Sequence, residues 1–253
     1  MKNINKRIIG VIVIKNDRVV NSFQYKKYLP IGKVSSSVLN LDMWEVDEIL
    51  ILDINRSKKQ LGPNFELIEN LNKKNFNTPL IYAGSIRNYK DAIKLCSLGI
   101  ERIVIDNFLF NNPEKIKKIS EFIGSQAIIL CLPLKYKNKE LFYFNHVKKK
   151  EYKINEHPIT LFDKNMYSEI LIIDYKNEGD GLFDLNLLKI SKIIEKKLIV
   201  FGGINNIKLS KKILKNKFVS AIGVGNKLNF KESSIYNLKE QIKHNFKNKN
   251  IIR

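Results

Sequence analysis

Two segments decide the fold class of this chain: DEILILDI at residues 47–54 and SEILIIDY at residues 168–175. Each is an uninterrupted aliphatic run bounded by polar residues, which is typical of a strand buried on both faces of a parallel sheet. Six further runs of this kind occur, each followed by a polar stretch compatible with a helix: RIIGVIVI (7–14), PLIYAGSI (79–86), ERIVIDNF (101–108), QAIILCLPL (126–134), KLIVFGGI (197–204) and SAIGVGNK (220–227). Eight strand–helix units in 253 residues predict a single α/β domain, a (β/α)8 TIM barrel.

The last four units repeat the first four at an offset of about 120 positions. Four matches carry the repeat: 47–50 with 168–171, 83–86 with 201–204, 106–107 with 225–226, and Val13 and Lys15 with Pro133 and Lys135. Self-similarity at a fixed period indicates duplication of a structural unit. We therefore expect one domain over 1–253, built from two (βα)4 half-barrels at about 1–122 and 123–240, with a basic C-terminal tail at 241–253.

The composition supports a folded core and argues against a membrane segment. Hydrophobic residues make up 44% of the chain and aromatic residues 10%, which excludes disorder for most of it. No apolar run approaches the roughly 18 residues that a bilayer-spanning helix needs. The N-terminal apolar stretch at 8–14 is too short for a signal peptide and lacks a small-residue cleavage site, so we expect a cytoplasmic protein.

The chain is strongly basic, with 45 Lys and Arg against 25 Asp and Glu and a net charge of +20. Its lysines are spread along the sequence, and the densest runs lie only at 148–150 and in the tail. This distribution favours a compositional bias over a dedicated nucleic-acid-binding face. A basic scaffold or nucleic-acid binder is kept as a third hypothesis, which steeply salt-dependent nucleic-acid binding would support.

The cysteines and histidines give no indication of a metal or a cofactor. Cys96 and Cys131 lie in apolar surroundings, as expected for buried thiols in a reducing compartment. His146, His157 and His244 have no partner ligand at the spacing of a zinc site. We predict that the chain has no metal site and needs no cofactor.

Glycines at two strand ends predict anion binding. The ends read AGSI at 83–86 and FGGI at 201–204, and the repeat places them half a barrel apart. Active sites of such barrels lie at the C-terminal ends of the strands, and glycine there lets backbone N–H groups approach an anion. Two phosphate sites are therefore predicted, although tight turns also require glycine for structural reasons alone.

Over nearly its whole length the chain resembles the cyclase subunit of imidazole glycerol phosphate synthase. The resemblance is carried, in order, by KRII at 6–9, DRVV at 17–20, DE at 47–48, LDI at 52–54 and GSQA at 124–127. It implies a duplicated barrel that forms a heterodimer with a glutaminase docked at its N-terminal face. It also implies that ammonia from the glutaminase is used at the opposite mouth, on a phosphate-containing small molecule.

The chain departs from that family at the catalytic positions. The matches to the family's two aspartates are Val13 and Pro133, neither of which can carry a proton. We therefore expect no intact catalytic residue. The first phosphate site is weakened, because Asp106 would repel an anion unless protonated or paired; the residues matching this site are Gly84, Ser85 and Asn107. The second site keeps more of the pattern and is expected to bind an anion first, with Gly179, Gly202, Gly203, Gly225 and Asn226.

One constellation of the family is complete in this sequence. The resemblance implies a ring of alternating charges that gates ammonia at the bottom of the barrel, and its positions hold Arg7, Glu48, Arg102 and Glu169. All four residues precede strand cores, where the bottom of the barrel lies. An ordinary network of salt bridges at strand ends is the structural alternative. Glu101 and Gln126 match residues near the family's glutaminase interface.

These observations lead to three hypotheses about function. The first is a synthase-like subunit of a glutamine amidotransferase complex that has lost the cyclase aspartates and conducts ammonia. The resemblance associates such divergent members with a separate sugar amidotransferase in surface-polysaccharide and nonulosonic-acid pathways. The second is an authentic cyclase of histidine biosynthesis, a lyase using other acids. The third is the basic scaffold or nucleic-acid binder described above.

Overall fold

The computed structural model describes residues 6–59, 61–110, 112–226 and 239. The predicted tail at 241–253 and the end of the second half-barrel lie outside these residues. The described part contains twelve strands: β1 (Arg7–Lys15), β2 (Arg18–Phe23), β3 (Lys27–Gly32), β4 (Glu48–Asp53), β5 (Leu80–Ala83), β6 (Ile100–Ile105), β7 (Ile128–Lys137), β8 (Glu140–Asn145), β9 (Lys150–Lys153), β10 (Glu169–Asp174), β11 (Lys197–Phe201) and β12 (Val219–Val224).

Eight of these strands form a closed parallel barrel in the order β1, β4, β5, β6, β7, β10, β11, β12. The barrel closes because β12 pairs in parallel with β1, where Arg7 lies opposite Ala221. Between the two halves of the chain, β7 pairs in parallel with β10 over Glu169–Asp174. The predicted TIM barrel is confirmed.

Helices cover the outside of the barrel. They are α1 (Val34–Met43), α2 (Ile54–Lys59), α3 (Phe65–Asn72), α4 (Tyr89–Ser97), α5 (Asn107–Phe110), α6 (Pro113–Ile123), α7 (Ser191–Ile194) and α8 (Ile207–Leu214). Asparagine starts four of them, because its side-chain oxygen accepts a hydrogen bond from a free N–H of the first turn. The capping residues are Asn64, Asn88, Asn112 and Asn206. None of the described helices is long and apolar enough to cross a membrane.

The polar stretch before β10 does not form the α-helix that the eight-unit pattern predicts. It folds instead into three 3-10 helices at Ile154–Glu156, Pro158–Leu161 and Lys164–Met166. Pro158 cannot donate a backbone hydrogen bond, and nearby side chains cap short turns. The imidazole of His157 accepts from the N–H of Ile159, and Asp163 accepts from the N–H of Asn165. These local bonds replace those of a continuous helix.

Apolar side chains fill two separate layers. Along β1, Ile9, Val11 and Val13 belong to the cluster inside the barrel, while Ile8 and Ile12 pack outward with the helices. This alternation is the period-two pattern of a strand buried on both faces. The chain therefore encloses an apolar interior with a polar rim at each end.

Two hairpins rise from the C-terminal mouth of the barrel. β1 continues into β2 and β3, and β7 continues into β8 and β9, all by antiparallel pairing. The first strand of each hairpin is followed by a turn of two residues with positive φ, at 16–17 and 138–139. Such two-residue turns match the right-handed twist of a hairpin. The hairpins follow the first and fifth barrel strands and so stand on opposite sides of the mouth.

Candidate functional site

The four predicted gate residues form a closed ring at the N-terminal end of the barrel. Nη1 and Nη2 of Arg7 lie 3.2 Å from Glu48 and 2.7 Å from Glu169. The same two groups of Arg102 lie 3.2 Å from Glu48 and 2.6 Å from Glu169. Each charge therefore contacts two opposite charges. We call Arg7, Glu48, Arg102 and Glu169 the charged ring.

The two carboxylates of the charged ring are held unequally. Burial raises the pKa of Glu48, and the attraction of Arg7 and Arg102 does not fully compensate. Burial also acts to raise the pKa of Glu169. The shorter contacts of Glu169 with both arginines outweigh this effect, so the pKa of Glu169 is lowered. The hydroxyl of Ser220 also donates to Glu169. Glu48 is therefore the weaker side of the ring.

The barrel interior beyond the charged ring is apolar. Buried aliphatic side chains from seven strands line it: Ile9, Val11, Leu50, Ile81, Val104, Ile129, Leu171 and Ile199. Such a lining stabilises no ion, because moving a charge into it costs several kcal/mol or more. A small neutral molecule such as ammonia carries no such penalty. The interior is therefore unfavourable for an ion.

A cavity of about 530 Å³ opens at the opposite end of the barrel, between the two hairpins. We call it the mouth cavity. Its lining residues include Tyr25, Asp53, Cys131, Pro133 and Phe144. The cavity lies within the size range of small-molecule sites in enzymes. It occupies the mouth at which barrels of this fold bind their ligands.

The positions expected to have lost their aspartates are apolar in the structure. Val13 is 3% exposed and belongs to the inner cluster. Pro133 borders the mouth cavity and lies opposite Ile173 in the pairing of β7 with β10. Neither side chain can transfer a proton. Burial raises the pKa of the neighbouring thiol of Cys131 far above its ordinary value, so this residue is not a thiolate nucleophile.

The first predicted phosphate site borders the mouth cavity only in part. Gly84 lines the cavity, and a Cβ there would lie 2.8 Å from the hydroxyl of Tyr82. Ser85 has a φ of 53° and accepts a hydrogen bond from the N–H of Gly62, so its hydroxyl helps to hold that loop. Asn107 begins α5. Asp106 lines the cavity, with its Oδ2 3.4 Å from Nε2 of His146. The carboxylate is therefore paired.

The second predicted phosphate site is engaged by the chain itself. The side chain of Asn226 accepts from the N–H of Ser22 at 3.3 Å and donates to the carbonyl of Ser22 at 2.6 Å. A Cβ at Gly179 would lie 2.5 Å from the same carbonyl. Gly202 and Gly203 have φ values of 98° and 70° and pack against the loop that follows β10. These glycines therefore meet a structural requirement of the backbone.

Gly225 and Asn226 do not border the mouth cavity. They line a separate cavity of about 30 Å³, together with Val11 and Val13. The structure thus brings Gly84 and Asp106 to the mouth cavity, whereas Gly225 and Asn226 lie at the separate cavity. The expectation that an anion binds the second site before the first stays a prediction, and the contacts of Ser22 with Asn226 weigh against it.

Glu101 and Gln126 are exposed at the end of the barrel that carries the charged ring. Glu101 is the second residue of β6, directly before the ring residue Arg102. Gln126 lies in the 3-10 helix Ser125–Ala127 that leads into β7. Both side chains are accessible to a protein that would cover this end. Within the described residues, no cluster of three or more His, Cys, Asp or Glu could hold a metal ion.

Several polar residues of the mouth cavity were not among the predicted site residues. Asp53 ends β4 and is 3% exposed, and burial raises the pKa of its carboxyl group to about 6. Glu151 accepts from the hydroxyl of Tyr175 at 2.5 Å and pairs with Lys135. The position of Asp53 at the end of a strand is a sequence signal that could have identified it as a site residue. The sequence gives no such signal for Glu151, because Glu151 reaches the mouth only through the folding of β8 and β9.

Comparisons with known proteins agree with this architecture. The sequence model of the family described as histidine biosynthesis protein matches residues 7–234. A Campylobacter jejuni protein provisionally named imidazole glycerol phosphate synthase subunit hisF2 is 31% identical over 205 residues, covering 79% of this chain and 80% of that protein. A Leptospira borgpetersenii protein provisionally named subunit HisF of the same enzyme is 25% identical, covering 87% and 88%.

A Leptospira biflexa protein named imidazole glycerol phosphate synthase subunit HisF is 26% identical over 250 residues, covering 96% of this chain and 97% of that protein. The match thus extends over nearly the full length of both chains at modest identity. With the closed barrel and the match to the family model, it settles the family. The chain belongs to the histidine biosynthesis protein family, as a divergent HisF-like member of the imidazole glycerol phosphate synthase group.

Proposed function

We propose that this chain is the ammonia-conducting subunit of a glutamine-dependent amidotransferase complex and has lost the cyclase chemistry of its family. In this proposal a glutaminase docks at the N-terminal end, beside Glu101 and Gln126. Ammonia passes the charged ring, crosses the apolar interior and emerges at the mouth. A separate amidotransferase then transfers the nitrogen to a sugar of a surface-polysaccharide or nonulosonic-acid pathway.

The observation that carries the proposal is the closed ring above an ion-excluding interior. Each of the four charges at the end of the barrel contacts two opposite charges, and these ion pairs stabilise the fold. The same ion pairs also close the barrel axis at this end. Glu48, held by 3.2 Å contacts, is the side from which such a ring can part at the lowest cost. The absence of an ionisable group at Val13 and Pro133 removes the family's acid and base from the far end.

The partners are identified first. The protein is captured from native extract, and the bound proteins are identified by mass spectrometry. We expect a glutaminase and a sugar amidotransferase. Glu101→Ala and Gln126→Ala should weaken capture of the glutaminase. Recovery of neither enzyme would contradict the proposal.

Coupling is then measured in the reconstituted complex. Arg102→Ala or Glu48→Ala should reduce product made from glutamine much more than product made from added ammonium salt, because only the first nitrogen must cross the ring. Arg87→Ala is the matched control, since Arg87 pairs with Asp91 on α4 and lies outside the ring. Each variant must remain folded and retain the glutaminase. Equal losses with both nitrogen sources would show that the ring is only structural.

An authentic cyclase is the second candidate, and the full-length match to a protein named for that synthase favours it. Asp53, Asp106, His146 and Glu151 are among the ionisable groups that could replace the missing aspartates, because all four border the mouth cavity. The cyclase assay described in the Discussion distinguishes the two candidates.

A further inference from the structure

We propose that the two hairpins at the mouth of the barrel form a docking surface for an acidic protein, and that this protein is the amidotransferase that accepts the ammonia. The identity of the partner rests on the proposed function. The surface itself is defined by the charges, the ion pairs and the exposed side chains of the hairpins.

Positive charge is concentrated in the two hairpins, although lysines occur along the whole sequence. Residues 15–33 contain five Lys and Arg against one Asp, and residues 135–153 contain seven Lys against two Glu. These two segments make up less than a sixth of the chain and carry nearly half of its net charge of +20. The mouth end is therefore more basic than the average composition explains.

The carboxylates of the hairpins are already engaged within the fold. Each glutamate of the second hairpin pairs with a lysine: Glu140 with Lys153, and Glu151 with Lys135. In the first hairpin, Asp17 accepts a hydrogen bond from a side-chain amide at 2.7 Å. These carboxylates therefore compensate only a minority of the lysines around them.

Seven lysines of the hairpins are exposed and form no ion pair with any residue that the structure describes. We call them the basic rim: Lys26, Lys27, Lys137, Lys139 and the three lysines at 148–150. The two hairpins stand on opposite sides of the mouth, and Lys26 of one and Lys149 of the other both border the mouth cavity. Exposed charges of one sign attract and orient a partner of the opposite sign.

Exposed aliphatic side chains accompany the basic rim and favour a protein as the partner. Leu29 and Ile31 share one face of the edge strand β3 and are 57% and 41% exposed. Val147 is 43% exposed beside the lysines at 148–150. A nucleic acid bound through its phosphates leaves such groups unused, whereas a protein interface buries them. A second copy of this chain would bring the same positive charge and be repelled.

The chemistry at the exit of the conduit requires that this partner cover the mouth. Ammonia that escapes into neutral water becomes ammonium, which has no lone pair with which to attack an acceptor. An enzyme docked on both hairpins would take the neutral molecule directly from the mouth cavity and keep water out of the transfer. The acceptor amidotransferase is therefore the partner to which we assign this surface, with acidic residues around its ammonia entrance.

The experiment compares the unmodified full chain with two double variants of the basic rim, Lys26→Glu with Lys27→Glu and Lys148→Glu with Lys149→Glu. Capture from native extract should recover the glutaminase with all three proteins, but each rim variant should retain at most about a tenth of the amidotransferase. The amidotransferase so identified is then purified, and its affinity for the full chain is measured. That affinity should fall at least about tenfold between about 50 mM and about 300 mM salt, because salt screens exposed charges.

A matched control reverses two lysines at the other end of the barrel. Lys212→Glu with Lys215→Glu alters exposed residues at the end of α8 that leads into β12. This variant should bind the amidotransferase as tightly as the unmodified chain does. All of the altered lysines are exposed, so circular dichroism and the thermal midpoint should show that every variant remains folded.

Four results would overturn the proposal. They are failure to capture an amidotransferase, equal binding of it by the rim and control variants, an affinity that does not change with salt, and a preference for another anionic partner. The last is tested with single-stranded RNA and with vesicles of phosphatidylserine and phosphatidylcholine. Tighter binding to either probe than to the amidotransferase, abolished in the rim variants, would assign the basic rim to a nucleic acid or to a membrane.

These outcomes are distinguishable from failure of the conduit. Docking is measured with neither glutaminase nor glutamine present, whereas the conduit is tested by the ratio of glutamine-driven to ammonium-driven product. Loss of amidotransferase binding in the rim variants, with equal losses in the coupling experiment, would retain the docking surface and reject the conduit. Coupling through the charged ring with unchanged binding by the rim variants would do the reverse.

Discussion

Nη2 of Arg102 lies 2.6 Å from Oε2 of Glu169, whereas Nη1 of the same guanidinium lies 3.2 Å from Glu48. Arg7 shows the same preference, at 2.7 Å and 3.2 Å. Both arginines therefore neutralise Glu169 more closely than Glu48. Since charge attraction in a partly dry site rises steeply at short distance, the two carboxylates differ in what they contribute to the fold.

The first prediction concerns stability. Glu169→Gln leaves two arginines without their closest partner and should cost about 3–5 kcal/mol, the range for breaking a buried ion pair. Glu48→Gln should cost clearly less, because burial already disfavours the charge of Glu48. Urea unfolding followed by circular dichroism measures both. Glu195→Gln, which removes an exposed partner of Lys164, should leave the free energy of unfolding unchanged. Equal losses at Glu48 and Glu169 would contradict the asymmetry.

The second prediction concerns the pair at the mouth. Burial alone would lower the pKa of His146, but the hydrogen bond and charge of Asp106 outweigh burial and raise it. Asp106→Asn should therefore lower the pKa of His146, measured from imidazole NMR shifts, with His157 as the internal reference. The pair stabilises the folded protein fully below the unfolded pKa of about 6.5. That contribution is lost as the pH rises through the raised pKa, so the variant's stability deficit should shrink at alkaline pH.

The third prediction concerns acid stability. His157 is 1% exposed between the rings of Phe110 and Tyr143, and burial lowers its pKa to about 3. The neutral form is stabilised, so its contribution is present above the unfolded pKa of about 6.5 and is lost as the pH falls toward 3. Between pH 7 and pH 5 this group should remove about 2 kcal/mol of stability. His157→Gln should flatten that part of the pH profile, and an unchanged profile would show that other groups cause it.

The fourth prediction concerns catalysis. Supplied with ammonium salt and the histidine-pathway intermediate, the purified protein should form imidazole glycerol phosphate no faster than background. The reason is the apolar pair Val13 and Pro133 at the expected acid and base positions. Val13→Asp combined with Pro133→Asp should restore little activity, because Ser85 and Asp106 also alter the first phosphate site. Robust turnover by the unmodified protein would establish the second candidate function.

The local sequence was sufficient for the barrel, whereas the four residues of the charged ring were expected from the family resemblance. Short aliphatic runs that alternate with polar, helix-compatible stretches are typical of strands buried on both faces of a parallel sheet, and eight of them predict a closed barrel. Arg7, Glu48, Arg102 and Glu169 each stand at the start of such a run, which places them at one end of the barrel. The helix expected before β10 was wrong, because Pro158 and the caps from His157 and Asp163 favour short 3-10 turns.

The duplication of two half-barrels and the limits of the domain stay predictions, since the final residues lie outside the described structure. The glycines show the limit of local pattern. A Gly-Gly turn can bind an anion, or it can allow another backbone segment to pack closely against it. The sequence around 202–203 does not distinguish these two roles. Only the tertiary structure shows that the loop after β10 packs against these residues and that Ser22 engages Asn226.

The sequence by itself determined which side chains end each strand, because a strand's polarity and alternation are local properties of the chain. Tertiary structure alone decided which of those side chains are partnered. Arg102 meets Glu169 across the barrel, His146 reaches Asp106 from a hairpin, and the second oxygen of Asp53 and the hydroxyl of Tyr25 meet no described partner. Partnership depends on the closure of the barrel and on how the two hairpins fold over its mouth, which are long-range contacts that no local pattern encodes.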